Sequence, residues 1–439
     1  QLLRYQEDYS ILGDEPRKDW LDFAKHRPLG RDDIRLTVGG QFRARFELKN
    51  HEVFGSGVPS SDDYFLHRYR IHADLQVQDW LRVFVEGKFA FAEDRDRLAP
   101  MLYQDKAGVQ NAFVDITPWR SGKSKLVFRT GRQELLYGKQ RLVSSFDWAN
   151  ILRTFDGARV LLTLDEGDGG TWQIDGWWTR LVQVDNDGCN GADEDTQFFG
   201  IYATHKRSSK SGFDIYALGF SGDKRTSANG RMGTDTRMTF GTRLWCKQFE
   251  PWDFEFEGAW QTGRFSGQPD NAWMAAFVGG YTFKDCPAQP RLSVGYDYAS
   301  GDDSPTDGHV STFNQLFPLG HAYFGYIDVV GRQNIHAAHA RVDLVPCEKT
   351  KVWLQFYSFW LDERKDALYN AGGVPIRRDM TGSSGSYVGS ELDIVVKYQL
   401  DRHSSVVAGY SHFWPGAFIG GTGPSKAIDF VFVQYQCTF

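Results

Sequence analysis

The chain has 439 residues, of which 24% are charged and 15% aromatic, with 46 glycines and a formal net charge of -6. That balance excludes a disordered chain and a bundle of apolar membrane helices, and the slight acidity gives no sign of a nucleic-acid partner. A mean hydropathy of -0.46 does not exclude a transmembrane barrel, because half of each barrel strand faces water and its outer loops are polar.

Residues 1 to 30 are polar, carry Pro16 and Pro28, and show no sustained periodicity, so they are predicted to be an N-terminal periplasmic extension of a barrel that runs from 31 to 439. The first ten residues lack a basic stretch followed by an apolar one; a secreted precursor would have lost its signal peptide. From Ile34 to Lys49 apolar or small residues take the even positions, and Arg35, Gln41, Arg43, Arg45, Glu47 and Lys49 share the odd face. Strand side chains alternate faces, so this is a strand greasy on one side and charged on the other. The same period recurs in about eighteen segments down the chain, and no apolar stretch is long enough for a membrane helix. The fold predicted is therefore an all-β, transmembrane, up-and-down antiparallel β-barrel of about 18 strands.

Short turns are expected near 78–81, 117–124, 206–212, 247–251, 284–290 and 401–404, and long loops near 50–63, 92–105, 183–196, 221–235, 300–323, 361–388 and 414–426. The second strand aims Arg68, Arg70 and His72 inward with the first strand's arginines. In the segment from Trp252 to Thr262, Asp253, Glu255 and Glu257 share the face opposite Trp252, Phe254 and Phe256. A charge on the lipid face near the midplane costs about 2–4 kcal/mol for Arg or Lys and less for acids, so that acidic face must look into a wet lumen. The same logic turns Glu391, Asp393 and Lys397 inward. Basic and acidic walls would then face each other across the bore, creating a transverse field suited to polar solutes. Arg132 and Arg159 are further pore-lining candidates, on strands whose alternation is imperfect. Trp177, Tyr202 and Trp353 have inward parity and could stack on sugars, although anchoring at the membrane interface is the favoured reading. The chain ends on Phe439, as outer-membrane barrels commonly end on an aromatic.

Asp185, Asp187, Asp193 and Asp195 supply hard oxygen ligands in one segment, making a weak calcium candidate, and Asp302, Asp303 and Asp307 form a second acidic cluster. A solvated loop is the plainer reading of both, and no cofactor is expected. The five cysteines form no zinc pattern; Cys286 and Cys347, in turns on one rim, leave a disulfide open. His321, His336, His339 and His412 have no nucleophile at a recognisable motif, so no enzyme is expected.

The segments G-R-Q-E-L at 131–135, F-N-Q-L-F-P-L-G-H-A-Y-F-G-Y-I-D at 313–328, G-R-Q-N-I at 331–335, G-S-E-L-D-I-V-V-K-Y at 389–398 and G-Y-S-H-F-W-P-G at 409–416 resemble the alginate-export family of outer-membrane porins. That resemblance implies an 18-stranded monomeric barrel in the lipopolysaccharide-bearing bilayer, with a gated basic constriction that conducts an anionic polysaccharide outward. Arg70 falls where the exporter has a constriction arginine, and Arg35 lies near a constriction lysine. Elsewhere this chain departs from the exporter pattern: Glu134, Gln110, Val407 and Gly409 stand where the exporter is basic. The expected function is passive passage of polar or anionic saccharide-like solutes, with exopolysaccharide export as one form of it. A general or nutrient-uptake porin is the alternative, and a barrel-borne enzyme or receptor is less favoured.

Overall fold

The computed structural model describes residues 3–13, 19–57, 59–96, 102–186, 188–227, 231–304 and 306–439. Eighteen long antiparallel strands form one sheet that closes on itself. They are β1 (Arg31–Asn50), β2 (Asp62–Val77), β3 (Leu81–Glu93), β4 (Asp105–Ser121), β5 (Ser124–Gln133), β6 (Phe155–Asp165), β7 (Thr171–Gln183), β8 (Gly191–Ser208), β9 (Ser211–Thr226), β10 (Met232–Cys246), β11 (Trp252–Phe265), β12 (Gln268–Thr282), β13 (Arg291–Ala299), β14 (Ile335–Cys347), β15 (Thr350–Trp360), β16 (Tyr387–Gln399), β17 (Ser404–Pro415) and β18 (Ile428–Thr438). Closure runs from Gln41 opposite Thr438 to Asn50 opposite Asp429, and Gly40 and Phe439 exchange two backbone hydrogen bonds at 2.9 and 3.0 Å. A closed barrel leaves no edge unpaired, which a spanning sheet requires because lipid offers no hydrogen bonds.

The predicted alternation is what sorts the surface. Phe65, Tyr69, Ile71, Val85, Phe89, Val160, Ile201, Ile215, Phe254, Phe277 and Val294 stand exposed on the outside, Ile201 at 59% and Val294 at 62%. An apolar band around the whole molecule is intelligible only as a lipid contact. Trp260 stacks with Trp273 and Phe240 toward one rim, and Trp252 packs edge-on to Tyr281 toward the other, placing aromatics at both membrane interfaces.

Both termini lie on the rim of short turns, the periplasmic side. Most connections of the opposite rim are longer, the two-residue turn at 266–267 excepted, and three matter below: L3 (134–154), L7 (300–334) and L8 (361–386). L7 and L8 were expected as loops. L3 was not, because its apolar run from Leu142 to Leu152 carries no turn signal.

The lumen is not an open bore. L3 and L7 fold into it and meet in a seam of two segments: the Ser144 amide donates to the Phe317 carbonyl, the Phe317 amide to that of Leu142, and the Leu319 amide to that of Gln140. Around that seam an apolar cluster forms from loop and wall residues together, including Leu142, Val143, Phe155, Phe198, Phe313, Phe317, Phe359 and Phe413. At the periplasmic end, Arg27–Leu29 adds a short strand to β1. Upstream of it, Arg4 donates to the carbonyls of Gly40 and Phe439, and the Tyr5 ring enters the barrel against Phe84 and Phe113.

Candidate functional site: the obstructed lumen

The arginine wall points inward, as its parity requires, but it meets L3 and not solvent. Arg43 donates to the carbonyls of Asp147 and Ala149, both at 2.7 Å; Arg45 donates to Trp148 O at 2.7 Å. Arg68 donates to the Asp147 and Ala149 carbonyls at 3.1 and 3.0 Å, to Asp147 Oδ1 at 2.7 Å and to Gln41. Irregular backbone inside a barrel has carbonyls that no ladder satisfies, and the guanidinium forks supply the missing donors. Burial alone would raise the Asp147 pKa; Arg68 and Arg43 override it and hold the carboxyl at about 2. Trp148 lies between the Arg45 guanidinium, 3.9 Å from its ring, and the His321 ring of L7 at 3.9 Å.

Arg70 is paired twice, with Glu86 at 2.8 Å and with Glu134 at 2.8 Å, and Gln110 and Asn111 also donate to Glu134. Of the positions at which this chain departs from the exporter pattern, Glu134 thus joins Glu86 in neutralising the best-matched arginine, and Gln110 donates to that Glu134 carboxylate. The other two also lie together. Val407 and Gly409 leave room for Phe432, since a Cβ on Gly409 would sit 2.3 Å from that ring, and Trp148 and Tyr326 pack on Phe432. An aromatic knot occupies the place of a basic pair.

The acidic wall lies nine strands from β2, half a turn around, and it is also occupied. Arg141 of L3 reaches across to Glu255 and Glu257 at 2.6 and 2.9 Å, Arg243 joins Glu255 to Asp214, and Arg291 grips Asp253. The expected pair of bare walls is therefore corrected: most of these charges are compensated by the loop between them or by the neighbouring strand. Arg159 faces inward and pairs with Asp175 at 2.5 Å. Arg132 does not line the pore; it has the outward parity of Phe128 and forms a fork with Asp156 at 2.8 Å, because Arg129 and Gln133 take the inward positions of β5. Arg35 lies at the periplasmic end, where its backbone pairs with Pro28. His72 is buried, stacked on Phe84. Glu391 and Asp393 are buried beneath L7.

Trp177 and Tyr202 are not interface anchors. Trp177, Tyr137, Tyr202 and Tyr216 stack in a column inside the lumen, with successive centroids 4.7, 4.8 and 5.1 Å apart. The three tyrosine hydroxyls donate to Asp175, Asp214 and Glu257, while the buried Trp177 indole N–H has no hydrogen-bond partner. Trp353 is half-buried against the same apolar cluster, with Arg341 over its ring.

Three chambers remain around the seam. One of about 650 Å³ opens between β9 and β15, and an adjoining one of about 380 Å³ shares Arg243 and Trp245 with it. A third, of about 570 Å³, lies toward the long loops and is lined by residues 314–317 of L7. The first chamber is basic: Lys139, Arg141, Arg243, Lys247, Arg291 and Arg341 outnumber Asp253, Glu255 and Asp343. With Glu257 and Asp214, which Arg141 and Arg243 also hold, five carboxylates stand against these six cations, and all five pair with arginines; Lys139 and Lys247 are the two cations with no ion-pair partner among the described residues. Burial pushes the Lys139 ammonium below the usual lysine range; Glu255 opposes that and Arg243 and Lys247 add to it. Trp245 and Tyr323 add aromatic faces. None of Lys139, Arg141, Arg243 or Lys247 was singled out from the sequence, though Arg243 and Trp245 flank one another on a strand whose parity was available.

A family model for alginate export matches residues 34–434. The chain belongs to the alginate export family. This alginate-export barrel is also similar in fold to solved outer-membrane channels. It superposes on OccD3 (OpdP) of Pseudomonas aeruginosa with a TM-score of 0.62 at 10% identity, covering 92% of this chain and 91% of that one. OprD of the same organism gives 0.57 at 12% identity, covering 92% and 94%, and OccAB1 of Acinetobacter baumannii gives 0.58 at 11%, covering 92% and 97%. No match is found among curated proteins. The chain is a porin-like barrel of the bacterial outer membrane, seated in the lipid bilayer.

Among the candidate calcium acids, Asp187 lies outside the described residues. Asp193 accepts from Thr196 and lies 3.9 Å from Arg225, and Asp195 pairs with Lys224 at 2.7 Å, while the Asp185 amide donates to Asn190. The Asp193 and Asp195 carboxylates are therefore already turned to cationic residues. Cys286 and Cys347 are exposed free thiols.

Proposed function

We propose that this barrel is a monomeric passive channel for small polar, anionic, saccharide-like solutes, which it admits through the basic chamber at its periplasmic end. The observation that carries the reading is a pair of ammonium groups, Lys139 and Lys247, without an ion-pair partner among the described residues, in a cavity that also offers Trp245 and Tyr323 as stacking faces. A hexuronate presents a carboxylate and a flat face of C–H groups together, which fits that pairing. The departures at Glu134, Gln110, Val407 and Gly409 favour solutes of one or a few sugar rings over a polymer, since no continuous basic ring surrounds the seam. Polymer export through the same lumen would need L3 and L7 to withdraw. The surrounding leaflet of lipopolysaccharide is part of this reading.

The role proposed is that of a conduit and not of an enzyme. His321, His336, His339 and His412 are each engaged by a carboxylate, from Asp328, Asp362, Asp297 and Asp429, at 2.7 to 3.4 Å.

Planar-bilayer recording tests the proposal. The channel is expected to prefer anions, to be blocked in a concentration-dependent way by di- and trigalacturonate, and to lose both properties in part when Lys139→Gln and Lys247→Gln are combined. A cation preference with no block by uronates would defeat the anionic-solute reading and leave a general diffusion porin.

A further inference from the structure

Glu391 and Asp393 stand two residues apart on β16, so strand alternation aims both into the lumen, where they are 0% and 1% exposed. No cation pairs with either one among the described residues. The contrast with nearby acids is sharp: Asp297 has Arg332 at 2.7 Å, and Asp235 and Asp270 share Arg237. The Ile327 amide of L7 donates to Glu391 Oε1 at 3.0 Å, and the polar neighbours of Asp393 are Ser411, Glu391, His321 and the Tyr326 amide. Four oxygens are left with no hydrogen bond of ordinary geometry: Glu391 Oε2, both carboxylate oxygens of Asp393, and Ser411 Oγ, whose residue faces Asp393 across the β16–β17 pair.

L7 seals this spot closely. Gly325 has φ +90°, and a Cβ there would lie 2.3 Å from the Glu391 carboxyl. Two ionised carboxylates under such a lid would face a large desolvation cost with no cation to offset it. A single proton shared between them would remove one charge, but as the side chains stand neither Ser411 Oγ nor either Asp393 oxygen has a partner at ordinary hydrogen-bond geometry. A cation bound to all three residues would satisfy every one of them.

We infer that Glu391, Asp393 and Ser411 bind a hard, calcium-like cation that staples L7 to the barrel wall. The donor set is all oxygen, which suits Ca²⁺ and excludes thiophilic metals. Two bidentate carboxylates and one hydroxyl supply up to five ligands, and Ca²⁺ tolerates water in the remaining positions of its flexible shell. The site is distinct from the acidic segment 185–195, and it does not depend on which solute crosses the lumen.

Terbium luminescence on the detergent-solubilised full-length protein tests it, with Tb³⁺ as the probe after a chelator wash. Tyr357, opposite Glu391 on β15, is placed to sensitise the ion. The expected result is saturable emission displaced by Ca²⁺, weakened about tenfold or more in Glu391→Gln/Asp393→Asn. It should persist in Asp193→Asn/Asp195→Asn. Ser411→Ala, which keeps both charges and the wall's shape, is expected to weaken binding by a smaller factor and serves if the double variant fails to fold. Saturable emission that is equal in wild type and in these variants, or no saturable emission from the wild type at neutral pH, would overturn the assignment.

Discussion

Replacing Arg68 by alanine should release L3 without opening the barrel. The side chain makes five hydrogen bonds, three to Asp147 and Ala149 of L3 and two to Gln41. Its loss leaves the Asp147 carboxylate without its ion-pair partner, although Arg43 still holds the Asp147 and Ala149 carbonyls. Removing one member of a fully buried pair costs about 3–5 kcal/mol. Asp147 is partly exposed, at 29%, so solvent screens the effect and about 2–3 kcal/mol is the better figure. That is roughly a 30- to 150-fold shift in the docked-to-undocked ratio of the loop. The strand ladder does not use this side chain, so the heat-modifiable band on a gel should stay at the wild-type position. Single-channel recordings should instead show frequent excursions to higher conductance. Arg68→Lys keeps the charge but lacks the fork and should fall between the two. A folded Arg68→Ala channel with wild-type conductance and noise would refute the idea that wall arginines hold the constriction closed.

Three further outcomes follow from the same contacts. Tyr5→Ala should free the N-terminal segment, because it removes a ring packed at 5.1–5.8 Å on Phe113 and Phe84 and a hydrogen bond to Glu134 O, an aromatic truncation costing about 3–5 kcal/mol; limited proteolysis from the periplasmic side should then cut that segment faster than in the wild type. Asp302, in L7, is raised to about 6 by burial and by Asp366, so the folded loop binds its proton more tightly than the unfolded chain does. Stability from this group should therefore grow as pH falls through 6 and level off near the unfolded value of about 4. In melts, Asp302→Asn should exceed wild type at pH 7.5 and converge with it at pH 4.5; a constant gap would count against it. Arg132→Ala should leave conductance and ion selectivity unchanged, since the pair with Asp156 lies on the outer face.

Parity carried most of the fold, because lipid on one side of a strand punishes every misplaced charge. The inward direction of Arg43, Arg68, Glu255 and Glu391 was legible for that reason. What each would touch was not, because the partners come from L3 and L7, and a loop has no period to read. Asp147, Trp148 and Arg141 sit in an irregular run whose apolar content resembles neither a strand nor a solvated loop. Arg132 defied parity because the alternation of its ten-residue strand is imperfect, and the structure gives the inward positions to Arg129 and Gln133. Trp177 and Tyr202 show the opposite failure: parity placed them inward, and a general preference of aromatics for interfaces was allowed to outweigh it.

An irregular loop can stay inside a barrel only if its carbonyls find donors, and the nearest durable donors are arginines on the wall. Each arginine that takes that role ceases to be a ligand for a passing anion. In this chain Arg43, Arg45 and Arg68 bind loop backbone and Arg70 is neutralised by Glu86 and Glu134, so the β1–β2 wall has little charge left for a solute. The excess positive charge has shifted to Lys139 and Lys247, on the far side of the seam. Selectivity and closure are thus assigned to different residues, and substitutions can separate them. Arg68 variants should change how often the channel opens with little effect on which ion it prefers, whereas lysine variants in the basic chamber should move the reversal potential with little effect on the opening frequency. A channel in which either substitution changed both properties together would require solute-facing charge on the β1–β2 wall after all.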